Sequence, residues 1–320
     1  MLRSLPALLL VTSALTMSAL ADVTFDEKPD RVTVSINGEV FTEYRHGDAP
    51  HVYYWPLFGP GGVKMTRNYP METVEGEAMD HRHHRSLWFS HGAVNGLDFW
   101  GESATSNRVG KIEHVKVLAA EGGKEFGTLK TEQNWIAPDG TVPVRSVQTL
   151  RVYATPATER MFDFEVTLTA GDKDAVFGDT KEGSAALRIA ESMRLKQPKA
   201  PGMGHIVNSE GVEDDKVWGE HAKWVMMSGP IGGKTYAINF MEHPSNLRHP
   251  TRWHARNYGL FAANPFCESE MDKSKPKGSG DYTLKAGQSL TLKYRILITD
   301  GGAAAAHAAE RYDRYAAGGR

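Results

Sequence analysis

Four of the thirteen histidines fall within eleven residues, His81, His83, His84 and His91, in the stretch DHRHHRSLWFSHGAVNGLDFW that runs from Asp80 to Trp100. Imidazole exchanges protons or binds metal near neutral pH better than any other side chain. Arg85, Asn95 and Asp98 lie among these rings, and Trp88, Phe89, Phe99 and Trp100 make the segment too apolar for an ordinary solvated loop. Two chemistries fit. One imidazole exchanges a proton while Arg85 holds a substrate oxygen. Alternatively, His81, His83 and His84 supply ligands to a divalent metal, although no helical or other fixed ligand spacing is present. The sequence requires no cofactor; a divalent metal is compatible with it.

A second segment of the same character lies about 150 residues on, from His243 to Phe266. On a strand starting near Thr251, period two places Arg252, His254 and Arg256 on one face and Trp253 and Ala255 on the other. Arginine forks recognise carboxylates, phosphates or paired hydroxyls. Pro244 and Pro250 frame a loop that could present Asn246. Between the two segments, Glu182 is the carboxylate best placed to partner a histidine, with a surface turn acid as the plain alternative. The candidate catalytic residues are therefore His83, His91, Glu182 and His254. The candidate substrate-binding residues are Arg85, Asn95, Asn246, Arg252 and Arg256. Trp88 or Trp253 could stack on a sugar ring. The same alternation predicts a strand from Arg85 to His91 with His83, Arg85 and His91 on one face, which turns both tryptophans away from a histidine-lined pocket.

Strands must position these residues, because period-two alternation dominates the chain. Val32, Val34 and Ile36 lead into Asn37-Gly38, a type I′ hairpin signal. Phe162, Phe164, Val166 and Leu168 alternate with Asp163, Glu165 and Thr167. Pro138-Asp139-Gly140 and Ala286-Gly287 read as further turns, the latter pairing Tyr282–Leu284 with the strand of Leu290 to Ile298. One helix is predicted, from Ala303 to Ala317, either over a sheet edge or as a fraying tail. The fold expected is all-β, a large antiparallel sandwich of two curved sheets with a short C-terminal helix; a jelly roll is the second choice.

Arg3, the apolar run Leu8–Leu15 and Ser18-Ala19-Leu20-Ala21 read as a signal peptide cleaved after Ala21. The expected organisation is residues 1–21 as signal peptide, 22–302 as one sandwich domain and 303–320 as helix or tail, in a periplasmic or secreted protein. No later stretch is long and apolar enough to span a bilayer. A formal charge of −2 with interspersed signs gives no footprint for nucleic acid. The lone Cys267 forms no internal disulfide and sits in no catalytic motif. The expected partner is a small molecule or oligosaccharide.

The motifs Asp80-His81-x-His83-His84-Arg85, Leu87-Trp88-Phe89, His91-Gly92, Val94-Asn95-Gly96 and Asp98-Phe99-Trp100 resemble the signature of the PmoA-like bacterial family. So do Asp179 to Gly183, Asn208 to Gly211, His243 to Asn246, Trp253-His254, Tyr258 to Phe261 and Asn264 to Phe266. The likeness spans nearly all of the chain after Ala21, with Arg82 where the family has proline and Ser86 where it has glycine. Methane oxidation in a membrane needs a transmembrane helix bundle, and the sequence after the expected signal peptide offers none. The pattern is also similar to galactose-mutarotase-like sandwiches, and that implies a sugar site on a concave sheet worked by histidine and carboxylate. The function expected is proton transfer on a sugar or keto-sugar by a lyase, hydrolase or epimerase. A non-catalytic carbohydrate-binding protein and a metal-dependent enzyme are the alternatives.

Overall fold

The computed structural model describes residues 22–196, 203–301 and 304–319, so the signal-peptide reading lies outside the described residues. In chain order the strands are β1 (Val23–Lys28), β2 (Arg31–Ile36), β3 (Glu39–Arg45), β4 (Tyr53–Leu57) and β5 (Leu87–His91). Four long strands follow: β6 (Lys111–Glu121), β7 (Phe126–Ile136), β8 (Val144–Tyr153) and β9 (Glu159–Ala170). Then come β10 (Ala175–Phe177), β11 (Gly183–Arg188), β12 (His205–Asn208), β13 (Trp224–Ile231) and β14 (Lys234–Glu242). The last are β15 (Arg252–Trp253), β16 (Leu260–Asn264), β17 (Tyr282–Leu284) and β18 (Ser289–Asp300), before helix α1 (Ala304–Ala316).

These build two eight-stranded antiparallel sheets, ordered β1-β2-β3-β4-β5-β11-β16-β15 and β12-β13-β14-β18-β9-β8-β7-β6, plus the ribbon β10-β17. The sheets pack face to face. Val34, Phe41, Phe89, Leu187 and Phe261 of the first meet Leu150, Phe164, Val166, Phe240 and Ile296 of the second in one core. Each such side chain, fully removed from water, contributes roughly 1.5–3 kcal/mol. In β9 the alternation is plain: Phe162, Phe164, Val166 and Leu168 are buried, while Asp163, Glu165 and Thr167 are only partly so.

Asn37 and Gly38 take φ of 55° and 79°, the left-handed pair a type I′ turn requires, and join β2 to β3. The C-terminal hairpin expected across Ala286-Gly287 does not form. Both edges of β18 are occupied by β14 and β9, so β17 pairs with β10 instead. Helix α1 lies on the outward face of the second sheet, where Ala308, Tyr312 and Tyr315 cover Met161, Trp224, Met241 and Leu297. Among the described residues no helix is long and apolar enough to cross a membrane.

Candidate active site on the outer face of the first sheet

The cross-strand register fixes which side chains reach this site. Trp88, Ala186 and Ala262 are aligned across β5, β11 and β16, and their neighbours Phe89, Ala185 and Ala263 are aligned one step along. The second row points into the core between the sheets. The first row points outward and joins Trp100 and Leu260 in a separate apolar cluster. A cavity of about 560 Å³ lies on this outward side. His81, His83 and His84 reach it from the segment before β5, and Asp98 and Trp100 from the segment after. Lys181 and Glu182 enter from the approach to β11, and His254, Arg256 and Tyr258 from the connection between β15 and β16. The two histidine–arginine segments thus meet in one cavity, with Glu182 between them.

Asp80 anchors the segment that carries His81, His83 and His84. Its Oδ1 accepts from Arg67 Nη1 at 2.5 Å and from Arg188 Nη2 at 2.8 Å, and its Oδ2 lies 3.3 Å from His81 Nδ1. Burial alone would raise this carboxyl, but the bond with His81 and the two guanidinium groups hold it far below the usual carboxylate range. Burial and the neighbouring Arg67 lower Arg188 to about 10, so it stays charged at neutral pH. Arg188 Nη1 donates to His84 Nδ1 at 3.1 Å. Burial first, then His83 and Arg188, push His84 well below its ordinary value, which keeps the ring neutral. Flat rings pile up here: His84 stacks on Trp88 at 5.3 Å, His81 on His84 at 4.8 Å, and Tyr258 on His81 at 5.1 Å.

His254 donates from Nδ1 to the Lys181 carbonyl at 3.0 Å, which leaves Nε2 as the lone-pair nitrogen. Burial and then Arg256 lower it to about 3. His83 has ring contacts with His84 and Trp100, and burial followed by His81 lowers it to about 4. Glu182 pairs with Lys181 Nζ at 3.0 Å. Burial raises the Tyr258 hydroxyl and keeps it protonated. Asp98 Oδ1 accepts the backbone N–H groups of Trp100 and Gly101 at 2.7 and 2.9 Å, fixing the indole beside the cavity.

The other expected residues lie elsewhere. The alternation expected through Arg85–His91 breaks at Ser86, whose φ of 58° is left-handed, and the strand begins only at Leu87. His83 and His84 therefore both reach the cavity on Trp88's side, while His91 shares the core side with Phe89. His91 is fully buried between Phe177 and Phe266 and donates from Nε2 to the Gly178 carbonyl at 2.8 Å. Arg85 grips Glu102 through two bonds of 2.6 and 2.9 Å. Arg252 is taken up by Glu268, Asp272 and the Gly219 carbonyl. Asn246 exchanges hydrogen bonds with the backbone of Lys293, and Asn95 accepts from Val176 N. Trp253 is fully buried in the core, its Nε1 donating to Ala222. Among the described residues no group of three His, Cys, Asp or Glu side chains has metal-ligating geometry. The parallel stacking of His81 on His84, at 9°, aims their ring nitrogens side by side rather than at a shared point. Tyr258, Trp100 and Lys181 are not among the candidate site residues read from sequence, although all three lie in the motifs that carry the resemblance; Tyr258 also sits two residues beyond Arg256 on the same parity.

Asp179 braces the approach to β11. Its carboxylate accepts the backbone N–H groups of Glu268, Ser269 and Gly280, each at 2.9 Å, and the Ser269 hydroxyl at 2.6 Å. Despite burial, these bonds lower it to about 2.

No curated protein matches the chain. Among solved structures, it is similar to a galactose mutarotase related enzyme from Lactobacillus acidophilus, with 10% identity, a TM-score of 0.32 and coverage of 88% of this chain and 97% of that one. It is similar to a galactose 1-epimerase from Lactobacillus acidophilus NCFM, with 7% identity, a TM-score of 0.36 and coverage of 88% and 98%. It is also similar to the heparan sulfate lyase HepC from Pedobacter heparinus, with 9% identity, a TM-score of 0.34 and coverage of 85% of this chain but only 34% of that one. One family model matches residues 31–313, and its description carries neither the PmoA nor the methane-oxygenase label. The chain belongs to that family, described as "Family of unknown function (DUF6807)".

Proposed function

We propose that the protein is a carbohydrate-processing enzyme that moves protons on a sugar or keto-sugar held in the cavity between His83, Glu182 and His254. The observation that carries this reading is the convergence of those three side chains from three separate segments of the chain in one pocket. In the proposal His254 Nε2 and the Glu182 carboxylate accept protons, and the Tyr258 hydroxyl returns one. Fixing a lone pair by an Nδ1–H bond to backbone is how a neutral imidazole is oriented for such a role. Flat rings lining the cavity and the Arg256 cation suit the faces and hydroxyls of a sugar. Elimination, hydrolysis and epimerisation all use this set of groups.

The test is incubation of the purified protein with glycosides, uronates and keto-sugars in D2O, followed by proton NMR. Solvent deuterium at a sugar carbon, or a cleaved or unsaturated product, lost in His254→Ala, is the expected result. Absence of exchange and turnover across the panel overturns the enzyme reading. The low values of His83 and His254 favour one second reading, a binding protein whose imidazoles never protonate, for which sugar is retained unchanged. Metal analysis of the active protein, purified without added metal, separates proton chemistry from a metal-dependent reaction. We further propose that the enzyme works in the periplasm or outside the cell, and N-terminal sequencing of exported protein, starting at Asp22, tests that.

A further inference from the structure

Beside the proposed acid–base groups lies a set of donors without an acceptor. A guanidinium only donates, so the bond from Arg188 fixes His84 Nδ1 as the acceptor and places the neutral ring's proton on Nε2. That Nε2–H is buried with no partner. The indole N–H of Trp100 is likewise buried and unpartnered, with its ring 5.8 Å from that of His84. So is the indole N–H of Trp88, whose ring lies 5.1 Å from that of Trp100. His84 and Trp100 are 1% and 2% exposed, and both line the cavity. Buried polar groups in folded proteins are paired, and each exception calls for an explanation.

The guanidinium groups near these donors exceed the carboxylates paired with them, while Asp98, which also lines the cavity, is held by the backbone N–H groups of Trp100 and Gly101. Arg67 and Arg188 are fully buried and share a single carboxylate, that of Asp80. Arg256, which also lines the cavity, faces the Trp218 and Tyr258 rings and forms no ion pair among the described residues. A group that completes this end accepts hydrogen bonds, donates none and carries negative charge.

We propose that the His84–Trp100 end of the cavity is a carboxylate subsite, and that the ligand is therefore an acidic sugar. This rests on the reading of the cavity as a sugar site and narrows its substrate class. Two carboxylate oxygens match two separated N–H donors, which a single halide does not, and the rest of the cavity remains for the ring and its hydroxyls.

The test uses the full chain labelled with ¹⁵N at the indole nitrogens, titrated with D-glucuronate, D-galacturonate and D-mannuronate and with the corresponding neutral hexoses. The Trp100 resonance is assigned by its disappearance in Trp100→Phe. At least one uronate should shift that resonance at a concentration about tenfold or more below that of its hexose, the scale of a hydrogen bond to a charged group. In Trp100→Phe, where affinities are read by titration calorimetry because that resonance is gone, the preference should narrow. Should that variant not fold, D-glucuronamide and D-galacturonamide serve instead, because each presents a neutral group with its own N–H donors. A hexose or an amide that binds as tightly as its uronate overturns the carboxylate subsite and leaves the sugar site standing. Sodium acetate acting at the same concentration as the best uronate overturns the acidic-sugar assignment. If neither uronates nor hexoses move the resonance, the sugar reading falls with it.

Discussion

His254 has one ring nitrogen committed to the Lys181 carbonyl and one free for chemistry. Replacing it with alanine should lower turnover by about 10²–10⁴-fold, the usual contribution of a positioned acid or base, with a far smaller change in KM. The measurement is steady-state kinetics on the substrate identified by deuterium exchange. Because burial holds His83 at about 4 and His254 at about 3, both are already neutral at pH 6. The acid limb of the pH–rate profile should therefore lie near pH 4 rather than near 6.5, the ordinary imidazole value. An acid limb near 6.5 would mean that the ring required in its neutral form titrates at its ordinary value, against the effect of burial. These residues were legible as types and as clusters, since Arg252, His254 and Arg256 do leave the strand on the side opposite Trp253. Their partners were not. Nothing in the spacing of the histidines shows that Glu102 neutralises Arg85, or that Arg188 reaches across the sheet to His84.

At the scale of the element, the start of β5 decides which histidines meet the cavity. Ser86 holds a left-handed φ of 58° and also bonds its Oγ to Thr66 Oγ1 at 2.8 Å in a buried position. Ser86→Ala should keep the strain and strand the Thr66 hydroxyl, costing roughly 1–3 kcal/mol. Ser86→Gly should lose the same bond but relieve roughly 1–2 kcal/mol of left-handed strain. Urea melts should accordingly rank Ser86→Gly above Ser86→Ala, with Ser86→Ala the least stable of the three; glycine below alanine would contradict this account. Period-two counting assumes an unbroken strand, so one residue in the left-handed region was enough to bring His83 to the side of Trp88 and part it from His91. Where no such residue intervenes, as in β9 or at the Asn37-Gly38 turn, the pattern and the structure agree. Helix α1 was visible as an alanine-rich stretch, but its seat on the outward face of the second sheet depends on a tyrosine-and-methionine surface assembled from several strands. Tyr315→Ala should cost on the order of 3 kcal/mol in denaturant melts, as for other large-to-small changes at a packed interface.

For the molecule as a whole, several buried imidazoles make stability depend on pH in one direction. Burial lowers His51, His83 and His91 to about 4 and His254 to about 3, against an ordinary 6.5. Between those values the unfolded chain takes up protons that the folded chain refuses, so stability is complete above about pH 6.5 and declines as pH falls toward 4. Asp179 extends the loss, since its contribution is present above its ordinary 3.8 and disappears as pH falls toward 2. Thermal melts across this range should show Tm falling from pH 6 downward, with the decline in His91→Gln shallower by about one proton. A flat profile would mean that these rings titrate normally in the folded protein. The brace at Asp179 has a consequence for anyone surveying this chain by saturation mutagenesis. Ser269 and Gly280 lie outside the cavity, yet both hold Asp179, two residues before Lys181, and a side-chain carbon on Gly280 would come within 2.7 Å of the Asp179 carboxyl carbon. Variants there should score with the phenotype of Lys181 and Glu182 variants, so a map of sensitive positions would draw an active site larger than the one that touches the ligand.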